Sequence, residues 1–142
     1  MYVKVQFRFY IITAGHCVEI DDIKYKNFKF KSNSRFNWIY PDLLDYKNDY
    51  QNNNDYAIFY DTNVSMGLIP AESNEDLTPQ YVLGNIDRNL NIIKRYKDAK
   101  EGESGSPILN SKCHVIGVMI KKGGGFTPIQ IVLEILDHIK TD

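Results

Sequence analysis

The sequence predicts an all-β fold closed by a single C-terminal helix. Short apolar runs, alternating or continuous, recur along the chain with turn residues between them. Strand-like runs do not alternate with long helical ones, as a parallel α/β sheet would require. Ten Tyr, seven Phe and one Trp make the chain rich in aromatic residues, which favour strands.

Taken in order, Val3, Val5, Phe7 and Phe9 alternate with Lys4, Gln6 and Arg8, the period of a half-buried strand. Tyr10-Ile11-Ile12 continues that strand to the small-residue stretch Thr13-Ala14-Gly15. Alternation returns over residues 24–31, slipping register at Asn27, and again from Arg35 to Tyr40, where Pro41 stops it. The Asn-rich stretch from Lys47 to Asn54 reads as a surface loop, and Tyr56-Ala57-Ile58-Phe59-Tyr60 as a short buried strand. From Asp61 to Thr78, Gly67, Pro70, Ser73, Asn74 and several acids read as an irregular connector.

Four further short strands follow: Tyr81-Val82-Leu83, Leu90-Asn91-Ile92-Ile93, Pro107-Ile108-Leu109 and Val115 to Ile120. Only the tail has helical spacing, at Ile129, Val132, Leu133 and Leu136, with Thr127 as its cap and Pro128 at its first position. The chain therefore reads as one domain over 1–142. Its N-terminal half covers about 1–62, and its C-terminal half, with the helix, about 79–142.

At 142 residues such a chain removes roughly 70% of its unfolded surface from water, enough for a core without metal or disulfide staples. Lys and Arg number 17 against 18 Asp and Glu, a balance that argues against a nucleic-acid partner held by a broad basic face. No run approaches the ~20 apolar residues that span a bilayer, so no membrane partner is expected. The first residues lack the pattern of a signal peptide. Cys17 and Cys113 are the two cysteines, and a pair can bridge or stay reduced.

Three segments carry chemistry. Ile12-Thr13-Ala14-Gly15-His16-Cys17 runs a strand into a turn of small residues ending in histidine, which gives an imidazole room and a rigid mount. Asn54-Asp55-Tyr56-Ala57-Ile58-Phe59 puts an acid at the start of an apolar strand, where it can be carried inward to orient an imidazole; Asp49 in the same loop lacks a following strand. Gly102-Glu103-Ser104-Gly105-Ser106-Pro107 sets a serine on a glycine-flanked turn, as an exposed nucleophile with nearby backbone N–H donors requires. Each alone also fits an ordinary strand-end histidine, loop acid or polar turn. Together they stand in the order His, Asp, Ser on a strand-rich background.

These motifs resemble those of the trypsin/chymotrypsin superfamily of serine proteases. Thr13-Ala14-Gly15-His16-Cys17 is similar to the histidine motif of its bacterial streptogrisin-like members, and Ser104-Gly105-Ser106-Pro107 to the nucleophile motif of glutamyl endopeptidases. The resemblance runs from about Phe9 to Lys140 and implies a shortened chymotrypsin-like double β-barrel with a C-terminal helix. It implies a serine endopeptidase acting on protein or peptide substrates, with His16, Asp55 and Ser104 as catalytic residues and the N–H groups of Gly102 and Ser104 as oxyanion hole. It implies no metal, no cofactor and a secreted location. Asp98 falls where trypsins carry their specificity acid, and Ile120 ends the strand that lines the family's cleft, which makes both substrate-binding candidates. His114 lies on another approach to that pocket.

The chain departs from the family in carrying Glu103 where an Asp usually precedes the serine, and in having little sequence before its histidine motif. The span between Asp55 and Ser104 leaves room for fewer strands than a full second barrel. Three expectations fit: a minimal protease, a piece of a longer one lacking an N-terminal segment, or a subunit completed by a partner chain. The alternative to the peptidase is a truncated, catalytically impaired protease-fold protein that binds peptides without cutting them or needs a partner segment.

Overall fold

The computed structural model describes residues 1–6, 8–20, 23–24, 28–30, 38–62, 64, 67–85, 91–99, 104–121 and 125–139. They form strands β1 (Tyr2–Val5), β2 (Arg8–Thr13), β3 (Glu19–Ile20), β4 (Ile23–Lys24), β5 (Asp42–Asp49), β6 (Asn54–Tyr60), β7 (Tyr81–Asn85), β8 (Asn91–Arg95), β9 (Pro107–Leu109), β10 (Val115–Lys121) and β11 (Gly125–Pro128), then helix α1 (Ile129–Ile139). One antiparallel sheet has the order β1-β2-β6-β5, a second β11-β10-β9-β7-β8, and β3 and β4 form a small hairpin. The chain is thus mostly β with one closing helix. Among the described residues no helix is long and apolar enough to cross a membrane.

Local chemistry explains where three elements differ from expectation. The first alternating run is not one strand but a hairpin: Val5 pairs with Arg8, and Gln6 turns the chain at φ 56°. Lys47 to Asp49 belong to β5 rather than to a loop, which shrinks to the turn Tyr50–Asn52 and left-handed Asn53. β5 is an edge strand, so Asp42, Asp45, Lys47 and Asp49 keep one side in water and mask the strand in the sequence. Thr127 and Pro128 do not open the helix; they pair with Val118 and Gly117 as the end of β11. The alternating runs around residues 24–31 and 35–40 fall largely outside the described residues, which retain a bridge between Phe30 and Ile39.

The two sheets share a core. Val3, Tyr10, Ile12, Tyr56 and Ile58 of the first pack with Leu109, Val115 and Val118 of the second, and α1 adds Ile129, Val132 and Leu136. An isolated helix of this length is marginal in water. Burying those three side chains at about 1.5–3 kcal/mol each is what holds it. The connector stitches the sheets as well: Lys4 N–H donates to Leu68 O, and Ala71 N–H to Val115 O. Glu75 Oε1 lies 2.7 Å from His114 Nδ1, and buried Asn110 donates to Asp76 O at 3.0 Å, clasping the connector to the β9–β10 turn.

Candidate active site

β2 and β6 place the first two candidates. Their register ends at Thr13 paired with Ala57, two residues before Gly15 on one strand and two after Asp55 on the other. There the chain makes one 3-10 turn, Gly15–Cys17, closed by Cys17 N–H to Ala14 O and Val18 N–H to Gly15 O. His16 sits on that turn. Its backbone N–H donates to Asp55 Oδ1 at 2.7 Å, and its Nδ1 lies 2.5 Å from Asp55 Oδ2. A carboxylate only accepts, so Nδ1 donates to it, and in a neutral ring Nε2 is then the accepting nitrogen. The Asp55 side chain is wholly buried, whereas that of His16 is 35% exposed, so one edge of the ring is open to solvent.

Gly15 makes this approach possible, because a Cβ there would lie 2.0 Å from Lys47 O and 2.7 Å from Asp55 Oδ1. The exit of the turn is tied to β5: Tyr46 donates to Glu19 Oε2 at 2.6 Å, and Asn48 Nδ2 to Glu19 O at 3.1 Å. Asp55 is anchored from the other sheet. Its N–H donates to Thr127 Oγ1 at 2.9 Å, and the same hydroxyl donates to Asp55 O at 3.0 Å. Thr127 is fully buried, so these bonds have no competition from water.

Ser104 stands on the turn before β9. Gly105 N–H donates to Met119 O at 2.7 Å, and Met119 N–H to Ser106 O at 2.9 Å, which hold the turn against β10. Gly105 has φ 90°, and a Cβ there would come within 2.4 Å of Thr13 Oγ1. Only glycine meets both demands. That contact seats the serine turn on the strand that leads into His16. The Ser104 hydroxyl donates to Ile120 O at 3.3 Å.

The structure thus brings His16 and Asp55 into contact and sets the Ser104 turn against Thr13. Gly102 lies outside the described residues, as does Glu103. Asp98 joins neither group: it is exposed at the end of the 3-10 turn Tyr96–Asp98, where Arg95 Nε donates to it at 3.4 Å. Ile120 buries its side chain and offers the site only its carbonyl. His114 faces Glu75 in the connector. Cys17 and Cys113 are both free and exposed. Although Cys17 is exposed as a residue, partial desolvation of its thiol raises it above the ordinary cysteine range, Thr13 opposes this by a hydrogen bond, and Asp55 adds to it.

Three contributors escape a reading of the sequence. Thr127 carries a cap-like signature that local rules assign to the helix. Thr13 is part of the histidine motif, but nothing local shows that Gly105 of the serine turn packs on it. Tyr50, in a polar loop, sets its ring edge-on to His16 at 6.2 Å between centroids. Their roles rest on contacts far apart in the chain, for which no local signal exists.

Comparison of the sequence with models of known protein families, and with curated proteins, finds no match.

Proposed function

We propose that this chain is a serine endopeptidase of the chymotrypsin-like kind, its two sheets a shortened double barrel, cleaving protein or peptide substrates through an acyl-enzyme. The observation that carries the reading is the pair of a buried Asp55 and a half-open His16, on the turn that follows Thr13, the residue against which Gly105 of the Ser104 turn packs. Ser104 Oγ attacks the scissile carbonyl carbon and passes its proton to His16 Nε2, while Asp55 holds the imidazolium that forms. Backbone N–H groups of Gly102 and Ser104 receive the oxyanion, an arrangement worth about 3–4 kcal/mol per donor in the transition state. His16 returns the proton to the leaving amine, and water then repeats the sequence to release the acyl group.

The bond from Ser104 to Ile120 O must break for this, by rotation of the side chain between staggered positions. That bond favours a second reading, a protease-fold protein that binds peptides without turnover or awaits a completing segment. One experiment separates them. Labelling by a fluorescent fluorophosphonate, lost in Ser104→Ala, supports the peptidase. A folded chain that resists the label while binding peptides supports the second.

A further inference from the structure

We propose that the cleft between helix α1, the β1–β2 turn and the connector is a docking site for a basic, amphipathic peptide segment of a partner protein. This holds whether or not the chain cuts peptides, because the cleft shares no residue with the site of His16, Asp55 and Ser104.

The cleft encloses about 440 Å³, within the size range of ligand-binding pockets. Its floor is apolar: Val5 of β1 with Leu133 and Leu136 of α1, at the edge of the core that the two sheets share. Its rim is acidic. Glu134 and Asp137, three residues apart, stand on one face of α1, and Glu72 of the connector lines the same cleft. All three are exposed. The connector wall is fixed in place: Ala71 N–H donates to Val115 O at 2.8 Å, Glu72 N–H to Glu75 Oε2 at 2.7 Å, and Gln130 Nε2 to Ala71 O at 3.4 Å. A partner therefore meets a preformed cleft and loses little to ordering it.

The charges point to a cation. No Lys or Arg lines the cleft, although the whole chain carries 17 such residues against 18 acids. Among the described residues no ion pair engages Glu72, Glu134 or Asp137. The bases nearest in the β1–β2 hairpin, Lys4 and Arg8, are turned to the rings of Phe9 and Tyr60. Like charges one turn apart weaken a helix, and the C-terminal end of a helix favours cations. Asp137 stands in the last turn of α1, so a bound cation relieves both its repulsion with Glu134 and its conflict with the dipole. A bare metal ion makes no use of an apolar floor. The stem of an Arg or Lys does, lying along Leu133 and Leu136 while its head reaches the carboxylates. An apolar neighbour in the peptide then covers Val5. No hydrogen bond among the described residues takes up Gln130 Oε1, which can accept a peptide N–H.

The test uses Ser104→Ala, which cannot form an acyl-enzyme, and the anisotropy of three fluorescein-labelled, amidated peptides: Leu-Arg-Leu-Arg-Leu, Leu-Gln-Leu-Gln-Leu and Gly-Arg-Gly-Arg-Gly. The expected result is the first bound about 10-fold more tightly than either of the others, with binding that weakens as salt is added. Adding Glu134→Gln and Asp137→Asn together should remove that advantage and most of the salt dependence. That variant should melt no lower than its parent, because it removes a repulsion. Equal binding of the Arg and Gln peptides, or an advantage that survives the double substitution, overturns the proposal. Sedimentation showing a dimer of the chain alone, dissolved by the double substitution, gives the cleft to a second copy and overturns it too. Fluorophosphonate labelling of Ser104 reads the peptidase and this titration reads the cleft, so either can fail without the other.

Discussion

Replacing Gly15 by alanine adds one methyl group at the point where His16 and Asp55 meet. That group would lie 2.0 Å from Lys47 O and 2.7 Å from Asp55 Oδ1. Close carbon–oxygen contacts settle at about 3.3 Å, so the methyl and the carbonyl must part by about 1.3 Å. Neither obstacle yields easily: Lys47 O is backbone of β5, and Asp55 Oδ1 accepts from His16 N–H. The backbone itself has no objection, since Gly15 lies in a 3-10 turn and is absent from the positive-φ glycines. Alanine even outranks glycine by about 1 kcal/mol in helical conformations, so any loss comes from space. Overpacking of this kind costs about 1–3 kcal/mol. At roughly 3 °C per kcal/mol for a chain of this size, the melting temperature should fall by about 3–9 °C. A displacement of about 1 Å at His16 should slow reaction with a fluorophosphonate ~100-fold. The assay pairs that labelling rate with a thermal melt. Wild-type labelling together with an unchanged melt would refute the argument that this position has no room for a Cβ.

Three further predictions follow from other contacts. Thr127→Val keeps the shape but leaves a buried Asp55 N–H without the hydroxyl it donates to, so urea unfolding should register a loss of about 1–3 kcal/mol, with slower labelling; a loss under about 0.5 kcal/mol would contradict the anchoring role. Burial, then a hydrogen bond to Asp45, pushes the Tyr56 phenol up to about 12. The unfolded phenol titrates near 10, so its contribution to stability is present below about pH 10 and is lost as pH rises toward 12; Tyr56→Phe should lack that alkaline limb in a melting series followed by tyrosinate absorbance. The Glu75 carboxyl is held below its usual range, first by the Glu72 N–H and then by His114. Its contribution is present above about pH 4.3 and is lost as pH falls through the lowered folded value, so Glu75→Gln should flatten the acid limb of stability, and an unaltered limb would count against the clasp.

What the sequence discloses follows from what each residue touches. Residues 56–60, 107–109 and 115–120 are buried almost throughout, so their runs are apolar and legible as strands. β5 escapes because its charges face water from the sheet edge, and the hairpin at Gln6 because alternation continues through the turn. His16, Asp55 and Ser104 stand out because each is set among distinctive small or apolar neighbours within a few positions. The Thr127 hydroxyl is not, because its partner is 72 residues away and Thr-Pro before an apolar run is also how a helix begins. Asp98 shows the converse: the resemblance to trypsins implies a pocket acid there, but the short turn Tyr96–Asp98 leaves it in solvent beside Arg95.

The bond between Asp55 and Thr127, and a core that joins Val3 to Leu136, bear on how the molecule is made. Contacts so distant in sequence form late, after both partners exist. A nascent chain leaving the ribosome carries His16 and Asp55 long before it carries Ser104, β11 or helix α1. Without the later strands the acid lacks its Thr127 anchor and the shared core has only one side, so the emerging half holds the site incompletely. On the peptidase reading, no cutting power arises before β11 and helix α1 have been made.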